Sequence, residues 1–228
     1  MATVIERDKN RYEVVKVLNP DDQVLNVSVV GNPAGETSTA TDAFGRLRVS
    51  NPMTVFDSSH RYADNGQWST STATGGASTF NSNQGLIDLT VNSTSGSKTY
   101  RETLKTFVYQ PGKSLLVLNT FVFNPGKTNL RQRVGFFGTQ NGIYLELSSS
   151  TLSIVKRSSV TGSIVNTGIN QSSWNGDKLD GTGTSGLTLD ITKAQILWMD
   201  VEWLGVGAVR VGFVIDGKFI VCHTFKHA

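Results

Sequence analysis

Apolar and polar residues alternate most clearly near the end of the chain, from residue 197 to residue 225. Every second residue from Leu197 to Trp203 is apolar, and Asp200 and Glu202 lie between them. This period of two predicts a β-strand. The alternation returns in Val209–Ile215 and in Lys218–Phe225, on either side of Asp216-Gly217. An Asp-Gly dipeptide favours the positive φ angles of a type I′ turn, so this segment predicts a β-hairpin.

Shorter apolar runs recur at regular spacing through the middle of the chain. Turn-forming pairs such as Pro111-Gly112 and Pro125-Gly126 separate them. The stretch from Ser69 to Ser82 has little apolar content and is predicted to be a surface loop. The predicted strands are Gly85–Val91, Tyr100–Tyr109, Ser114–Phe123, Arg131–Phe137, Gly142–Leu147 and Thr151–Lys156.

Helical signals are weak throughout the sequence. Only Asp190–Gln195 is typical of a short helical turn, because Ser, Thr, Asn and β-branched residues dominate elsewhere and favour strands and turns. We therefore predict an all-β fold, an antiparallel two-sheet sandwich (jelly-roll or concanavalin-like) over residues 51–228. Its core is predicted to contain Leu116, Leu118, Phe121, Phe123, Phe136, Leu145, Leu147, Met199, Val201, Val211, Phe213 and Ile215.

Residues 1–50 form a separate segment of short predicted strands. These strands are Tyr12–Leu18, Gln23–Val30 and Arg46–Val49. Each is too short to form a core of its own, and an isolated hairpin is marginal in water. We therefore predict an extended N-terminal β arm that docks on another surface.

Composition narrows the classes of partner. Lys and Arg number 21 and Asp and Glu number 18, so the formal net charge is +3, and 17% of residues are charged. Basic residues do not cluster with aromatic ones, which argues against nucleic acid as a partner. No apolar run approaches the roughly 18 residues of a membrane span, and Met1-Ala2-Thr3-Val4 lacks the features of a signal peptide. We expect synthesis in a cytoplasm and no membrane insertion.

The single cysteine, Cys222, excludes an internal disulfide. It lies within an apolar strand, so we predict a buried and unreactive thiol. Packing alone must then hold the fold together.

One pair of carboxylates has a spacing typical of catalysis. Asp200 and Glu202 are two apart on a predicted strand, so both project from one face, and retaining glycosidases hold two carboxylates about 5 Å apart. Residues 198–202 resemble the Glu-x-Asp-x-Glu strand of laminarinase-type glycoside hydrolases, in which the first Glu is the nucleophile. Trp198 stands at that position, so the acid would lack its nucleophile. We favour a solvated sheet face on which Asp200 and Glu202 pair with Arg210 or a lysine across the strand.

Other candidate catalytic and metal-ligating groups are sparse. His223 and His227 lie about 13 Å apart along a strand, which is too far to share one metal ion and favours a solvated strand end. Asp57 and His60 lie among serines, but the Gly-x-Ser-x-Gly turn of a hydrolase nucleophile is missing. Residues 181–186 are Gly-rich, lack the lysine of a phosphate loop and are predicted to form a flexible loop. We expect no cofactor and no metal.

Three residues beside that loop are candidate glycan contacts: Trp174, Asp177 and Asp180. An indole can stack on a sugar ring, and carboxylates accept hydrogen bonds from sugar hydroxyls. The alternative interpretation is that Trp174 anchors the long loop by packing beneath it, which is the commoner role of a large aromatic residue.

Several motifs resemble those of virion structural proteins of tailed bacteriophages, particularly marine and cyanobacterial ones. They are residues 41–52 (Thr-Asp-Ala-Phe-Gly-Arg-Leu-Arg-Val-Ser-Asn-Pro), Gly135-Phe136-Phe137, Asn141-Gly142-Ile143-Tyr144 and the stretch from Leu189 to His223. The resemblance runs over most of the chain from about Thr39. It implies a virion component without enzymatic activity, assembled with capsid, neck, baseplate or tail proteins. It also implies a homo-oligomer, with a trimer favoured, and a chain that is a shorter member of the family or a fragment.

Two functional hypotheses remain. In the first, the protein is a head- or tail-attached fibre or a capsid-decoration protein, anchored by residues 1–50, whose strands would add to the sheet edge of a partner. In the second, the sandwich is a lectin-like module of a phage adhesin that recognises host-surface glycan through Trp174, Asp177 and Asp180. The candidate anchoring residues are Tyr12, Val14, Val27, Val29, Phe44, Arg46 and Arg48.

Overall fold

A computed structural model of the chain describes residues 4–7, 13–16, 53–202 and 206–226. The described residues are all-β, as predicted, and a 3-10 turn at Gln171–Ser173 is their single helical element. None of them forms a helix with the length and apolar character needed to cross a membrane. The first six strands are β1 (Val4–Arg7), β2 (Glu13–Lys16), β3 (Trp68–Ala73), β4 (Ala77–Asn81), β5 (Leu86–Thr90) and β6 (Lys98–Thr103).

The remaining eight strands form two four-stranded antiparallel sheets. The meander sheet has the order β11-β10-β9-β8, and the C-terminal sheet has the order β14-β13-β12-β7. The chain therefore leaves the C-terminal sheet after β7, completes the meander sheet and returns at β12. These strands are β7 (Leu115–Phe121), β8 (Arg131–Phe137), β9 (Gly142–Ser148), β10 (Thr151–Ser158), β11 (Val165–Asn170), β12 (Gln195–Glu202), β13 (Ala208–Ile215) and β14 (Lys218–Lys226).

The inner faces of the two sheets bury one apolar core, so the predicted two-sheet sandwich is confirmed as the fold, with all of its strands between residues 115 and 226. Leu145 and Ile154 come from the meander sheet, Met199 and Phe213 come from the C-terminal sheet, and all four are fully buried. Burying a side chain of this size contributes about 1.5 to 3 kcal/mol to folding. Cys222 is buried as predicted, and desolvation raises the pKa of its thiol well above the ordinary value.

Ten of the twelve predicted core residues contribute to this core, but Leu116 and Leu118 do not. In the register of β7 with β12, Val117 lies opposite Met199 and Leu118 lies opposite Trp198. Successive side chains of a strand point to opposite faces, so Val117 packs on the core and Leu118 is 51% exposed. The prediction failed because residues 115–118 are apolar on both faces and give no period-two signal.

The C-terminal hairpin is formed as predicted. Asp216 and Gly217 join β13 to β14 with φ angles of 50° and 76°, the positive values that a type I′ turn requires. An irregularity in the pairing beside Gly212 marks a β-bulge. At Gly212 the neighbouring strand comes so close that a Cβ atom would lie 1.8 Å from the carbonyl oxygen of Ile220.

Residues 53–113 lie outside the sandwich, and we call them the ribbon segment. Within it β3 pairs with β6 and β4 pairs with β5, and none of the four pairs with a strand of the sandwich. The predicted loop over Ser69–Ser82 is therefore wrong, because it contains β4 and most of β3. Both strands are rich in Ser and Thr and neither contains a buried residue, so no apolar alternation marks them in the sequence.

A chain of four aromatic side chains connects the ribbon segment to the sandwich. The ring centroids of Trp68 and Phe56 are 6.0 Å apart, and those of Phe56 and Phe107 are 5.3 Å apart. Phe107 in turn lies 6.5 Å from Phe136 of β8. Such aromatic pairs are worth about 0.5 to 1.5 kcal/mol each beyond their buried area.

We predict that Gly212→Ala lowers the free energy of unfolding by about 3 kcal/mol, because the new methyl group meets backbone and the β13–β14 ladder must shift. Urea denaturation followed by tryptophan fluorescence measures the loss. Gly168→Ala in β11 is the matched control, since its Cβ would lie 3.7 Å from Val155, an ordinary contact, and we expect a change below about 0.5 kcal/mol. Equal losses in the two variants would contradict the close approach at Gly212.

Candidate functional site

Asp200 and Glu202 lie on the face of the C-terminal sheet that points away from the core. Both side chains are fully buried, together with Trp198 on the same face, so the predicted solvated face is wrong. The predicted cross-strand pairing of Asp200 is confirmed: Arg210 lies opposite it and donates to Asp200 Oδ2 from Nε at 3.2 Å and from Nη2. The carboxylates thus lie beneath the surface, and Asp200 forms a buried ion pair with Arg210.

The surroundings of this pair are those of a packed sheet face. Trp198, which occupies the position of the glycosidase nucleophile, donates a hydrogen bond from Nε1 to the carbonyl oxygen of Phe213 at 3.2 Å. Its ring packs edge-on against Phe219 and lies 6.0 Å from the guanidinium of Arg210. A glycosidase needs both carboxylates at the scissile bond of a bound sugar. The exposure of Asp200 and Glu202 is 0%, so a sugar cannot contact them in this structure.

Trp174 is part of the core and not of the surface. It is 3% exposed, its ring stacks near that of Phe213, and its Nε1 donates to the carbonyl oxygen of Ile169 at 3.1 Å. The prediction that Trp174 offers a stacking platform to a sugar is therefore wrong, because the ring faces are covered by protein. The alternative, in which Trp174 anchors the loop, matches its position.

Asp177 and Asp180 shape the loop that follows Trp174. The carboxylate of Asp177 accepts hydrogen bonds from the backbone N–H groups of Leu179 at 2.8 Å and Ser185 at 2.6 Å, so both of its oxygens are engaged. Asp180 is exposed and accepts from the N–H and hydroxyl of Thr182, and these bonds lower the pKa of its carboxyl. Of the three candidate glycan contacts, only Asp180 is at the surface, so the structure does not bring them together as a site.

The histidines are dispersed as well. His223 is buried, which corrects the predicted solvated strand end, and its Nδ1 accepts a hydrogen bond from the Asn175 N–H at 3.3 Å. Burial lowers the pKa of His223. The carboxylate beside His60 is that of Asp64, with His60 Nδ1 and Asp64 Oδ1 3.8 Å apart. His227 lies outside the described residues, and those residues contain no group of three potential metal ligands.

The candidate anchoring residues fall almost entirely outside the described part of the chain. Val14 belongs to β2, where it pairs with Glu6 of β1. The others, Tyr12, Val27, Val29, Phe44, Arg46 and Arg48, lie outside the described residues. Anchoring by residues 1–50 therefore stays a prediction.

The ribbon segment is the described region with the most open surface. None of its 61 residues, from position 53 to position 113, is buried, although it contains four paired strands. Its exposed apolar side chains are Met53, Val55, Tyr62, Leu89, Val91, Leu104 and Val108. The sequence signal for this surface is the low apolar content of residues 69–82. That signal fits a surface loop as well as exposed strands, so it does not distinguish the two.

We predict that Asp200→Ala lowers the free energy of unfolding by about 3 kcal/mol, because Arg210 loses a buried carboxylate partner. Replacing both, with Asp200→Leu and Arg210→Met, should cost less than Asp200→Ala alone, since the buried Arg210 charge is then removed together with the Asp200 carboxylate. Thermal and urea unfolding measure both variants. Asp88→Ala, at an exposed strand position, is the control and should change stability by less than about 0.5 kcal/mol. If Asp200→Ala lowered the free energy of unfolding no more than Asp88→Ala does, the Asp200–Arg210 pair would not stabilise the fold.

Comparisons of the sequence with protein-family models, with curated proteins and with solved structures gave no match.

Proposed function

We propose that this protein is a non-enzymatic structural component of a bacteriophage virion, either a head- or tail-attached fibre or a capsid-decoration protein anchored by residues 1–50. Its partners would be copies of itself and other virion proteins of the capsid, neck, baseplate or tail. The resemblance of residues 41–52 and of the Leu189 to His223 stretch to phage virion proteins supplies the biological setting. The structure supplies a physical reason for assembly.

The observation that carries this proposal is the ribbon segment, which has strands but no buried residue. Fixing the backbone of one residue costs about 1 to 2 kcal/mol of conformational entropy, and burial of apolar surface is the main term that offsets it. Two-stranded ladders without such burial are marginal in water. A neighbouring molecule that covers the ribbon segment would provide the missing burial.

The exposed apolar residues of the ribbon segment are suited to that role. Leu104 is 65% exposed and Val108 is 81% exposed, and both lie in the stretch that leads from β6 to the sandwich. Apolar side chains clustered along a surface segment are typical of protein–protein interfaces. We propose that a second copy of the chain covers this stretch, in a homo-oligomer for which the phage resemblance favours a trimer.

The alternative function is a lectin-like module that recognises host-surface glycan. Because Trp174 is in the core and Asp177 is engaged by the backbone, the residues first proposed for that role do not support it. A glycan-binding role would therefore need a different surface of the protein.

We predict that the purified protein is a homo-oligomer. Leu104→Asp combined with Val108→Asp should raise the dissociation constant of the oligomer by at least about tenfold, because two charges would enter an apolar contact. Light scattering coupled to size-exclusion chromatography measures the mass of each variant. Val160→Asp is the control, because Val160 is 89% exposed in the β10–β11 connection, outside the ribbon segment.

Both variants should keep the thermal unfolding midpoint of the sandwich, because none of the three substituted positions contributes to the core. A wild-type protein that is monomeric at all concentrations, or a double variant that assembles as well as the Val160→Asp control, would contradict assembly through the ribbon segment.

Anchoring is tested by deleting residues 1–50. The sandwich core is supplied by residues 117–225, so we expect the shortened chain to unfold cooperatively but to be missing from phage particles grown with it as the sole source of the protein. Mass spectrometry of purified particles measures incorporation. Incorporation of the shortened chain at the wild-type level would refute anchoring by the arm.

A further inference from the structure

The stretch from residue 53 to residue 67 contains no strand or helix, yet many side-chain bonds hold it in place. Ser58 Oγ accepts hydrogen bonds from Trp68 Nε1 at 2.7 Å and from Asn65 Nδ2 at 2.5 Å. Asn65 Oδ1 in turn accepts from the Gln67 N–H at 3.1 Å. An ordered surface stretch of this length without secondary structure is uncommon and is usually functional.

A second set of contacts fixes the stretch to β6. Arg101 forms an ion pair with Asp64 at 2.5 Å and lies over the ring of Trp68 at 5.7 Å. The hydrogen bond from Arg101 lowers the pKa of Asp64, so the carboxylate stays ionised near neutral pH. With Ser58, Asp64 and Asn65 held, the backbone between them is presented in one conformation.

That conformation displays Arg61 and Tyr62 to solvent. Tyr62 is 87% exposed, so the packing of its ring contributes little to the fold. A large aromatic side chain presented by a fixed loop, and not used for packing, is a typical contact for a ligand.

Two adjoining shallow depressions flank these residues. One, of about 470 Å³, is lined by Ser59, Arg61, Tyr62, Ala63 and Asn65. The other, of about 380 Å³, is lined by Ser59, Arg61 and the turn at residues 82–85, which joins β4 to β5. Ser59 and Arg61 line both depressions, and we call the two depressions together the groove.

The groove is lined by the groups that recognise carbohydrate. Tyr62 offers a π face for a sugar ring, and the amides of Asn83 and Gln84 offer both donors and acceptors for sugar hydroxyls. The guanidinium of Arg61 matches the two oxygens of a carboxylate. A drug-like apolar ligand would instead need an enclosed cavity.

We propose that this groove binds an acidic oligosaccharide, with Tyr62 stacked on one sugar ring and Arg61 paired with a sugar carboxylate. The site goes beyond the structural role, and its existence does not depend on anchoring or oligomerisation. A shallow groove of this kind binds weakly, so several copies in one assembly would raise the avidity.

The test uses an array of bacterial capsular and lipopolysaccharide oligosaccharides, with and without uronic acids, probed with the full-length protein. A carboxylated oligosaccharide that binds is then compared with its carboxyl-reduced form by isothermal titration calorimetry. We expect the reduced form to bind about tenfold more weakly, since it loses the charge-assisted pair with Arg61. Arg61→Gln should weaken binding of the carboxylated form by a similar factor and leave binding of the reduced form nearly unchanged.

Tyr62→Ala should weaken both forms by about tenfold, whereas Tyr62→Phe keeps the ring and should stay within about threefold of wild type. Val160→Ala, at an equally exposed position outside the groove, should have no effect. Unchanged thermal unfolding of each variant shows that folding is intact. The proposal would be overturned if no carboxylated oligosaccharide on the array bound the protein, or if binding survived both Tyr62→Ala and Arg61→Gln. Neither outcome bears on assembly through Leu104 and Val108.

Discussion

The register between β12 and β13 is the constraint on which the rest of the sandwich depends. It places Met199 beside Val211 on the core face and Asp200 beside Arg210 on the opposite face. A slip of one residue would move the apolar side chains out of the core and turn the charged ones into it. Burying a charge without a partner costs several kcal/mol, so the apolar core and the ion pair select the same register. The two-residue turn at Asp216-Gly217 then fixes β14 on the other side of β13.

The two parts of the described chain differ in how they are stabilised. The sandwich has a core between two sheets, whereas the ribbon segment has ladders, an aromatic chain to Phe136 and a network around Ser58, but no buried residue. A well-packed sandwich that carries a ribbon segment without buried residues is the arrangement expected of a protein that completes its packing in an assembly. The same openness leaves Arg61 and Tyr62 accessible, so one segment can provide both an assembly contact and a ligand groove.

Local signals determined how much could be predicted from the sequence. The C-terminal hairpin was predictable because alternation and an Asp-Gly turn specify it without distant contacts. Strands β3, β4 and β11 could not be predicted because β3 and β11 are mostly exposed, β4 contains no buried residue, and none of the three has an apolar period. The burial of Trp174 and of Asp200 depends on residues distant in sequence, such as Phe213 and Arg210, so spacing alone could not reveal it. The groove beside Tyr62 joins residues 59–65 to the turn at residues 82–85, and no sequence motif marks that proximity.

The most direct test is an electron-microscopy reconstruction, at a resolution that traces side chains, of the phage particle that we propose contains this protein. We expect the sandwich to fit the density as described and Leu104 and Val108 of the ribbon segment to lie against a neighbouring copy, at symmetry-related positions on the head or tail. A particle in which the ribbon segment of every copy faces solvent, with no neighbour against those two residues, would contradict assembly through the ribbon segment.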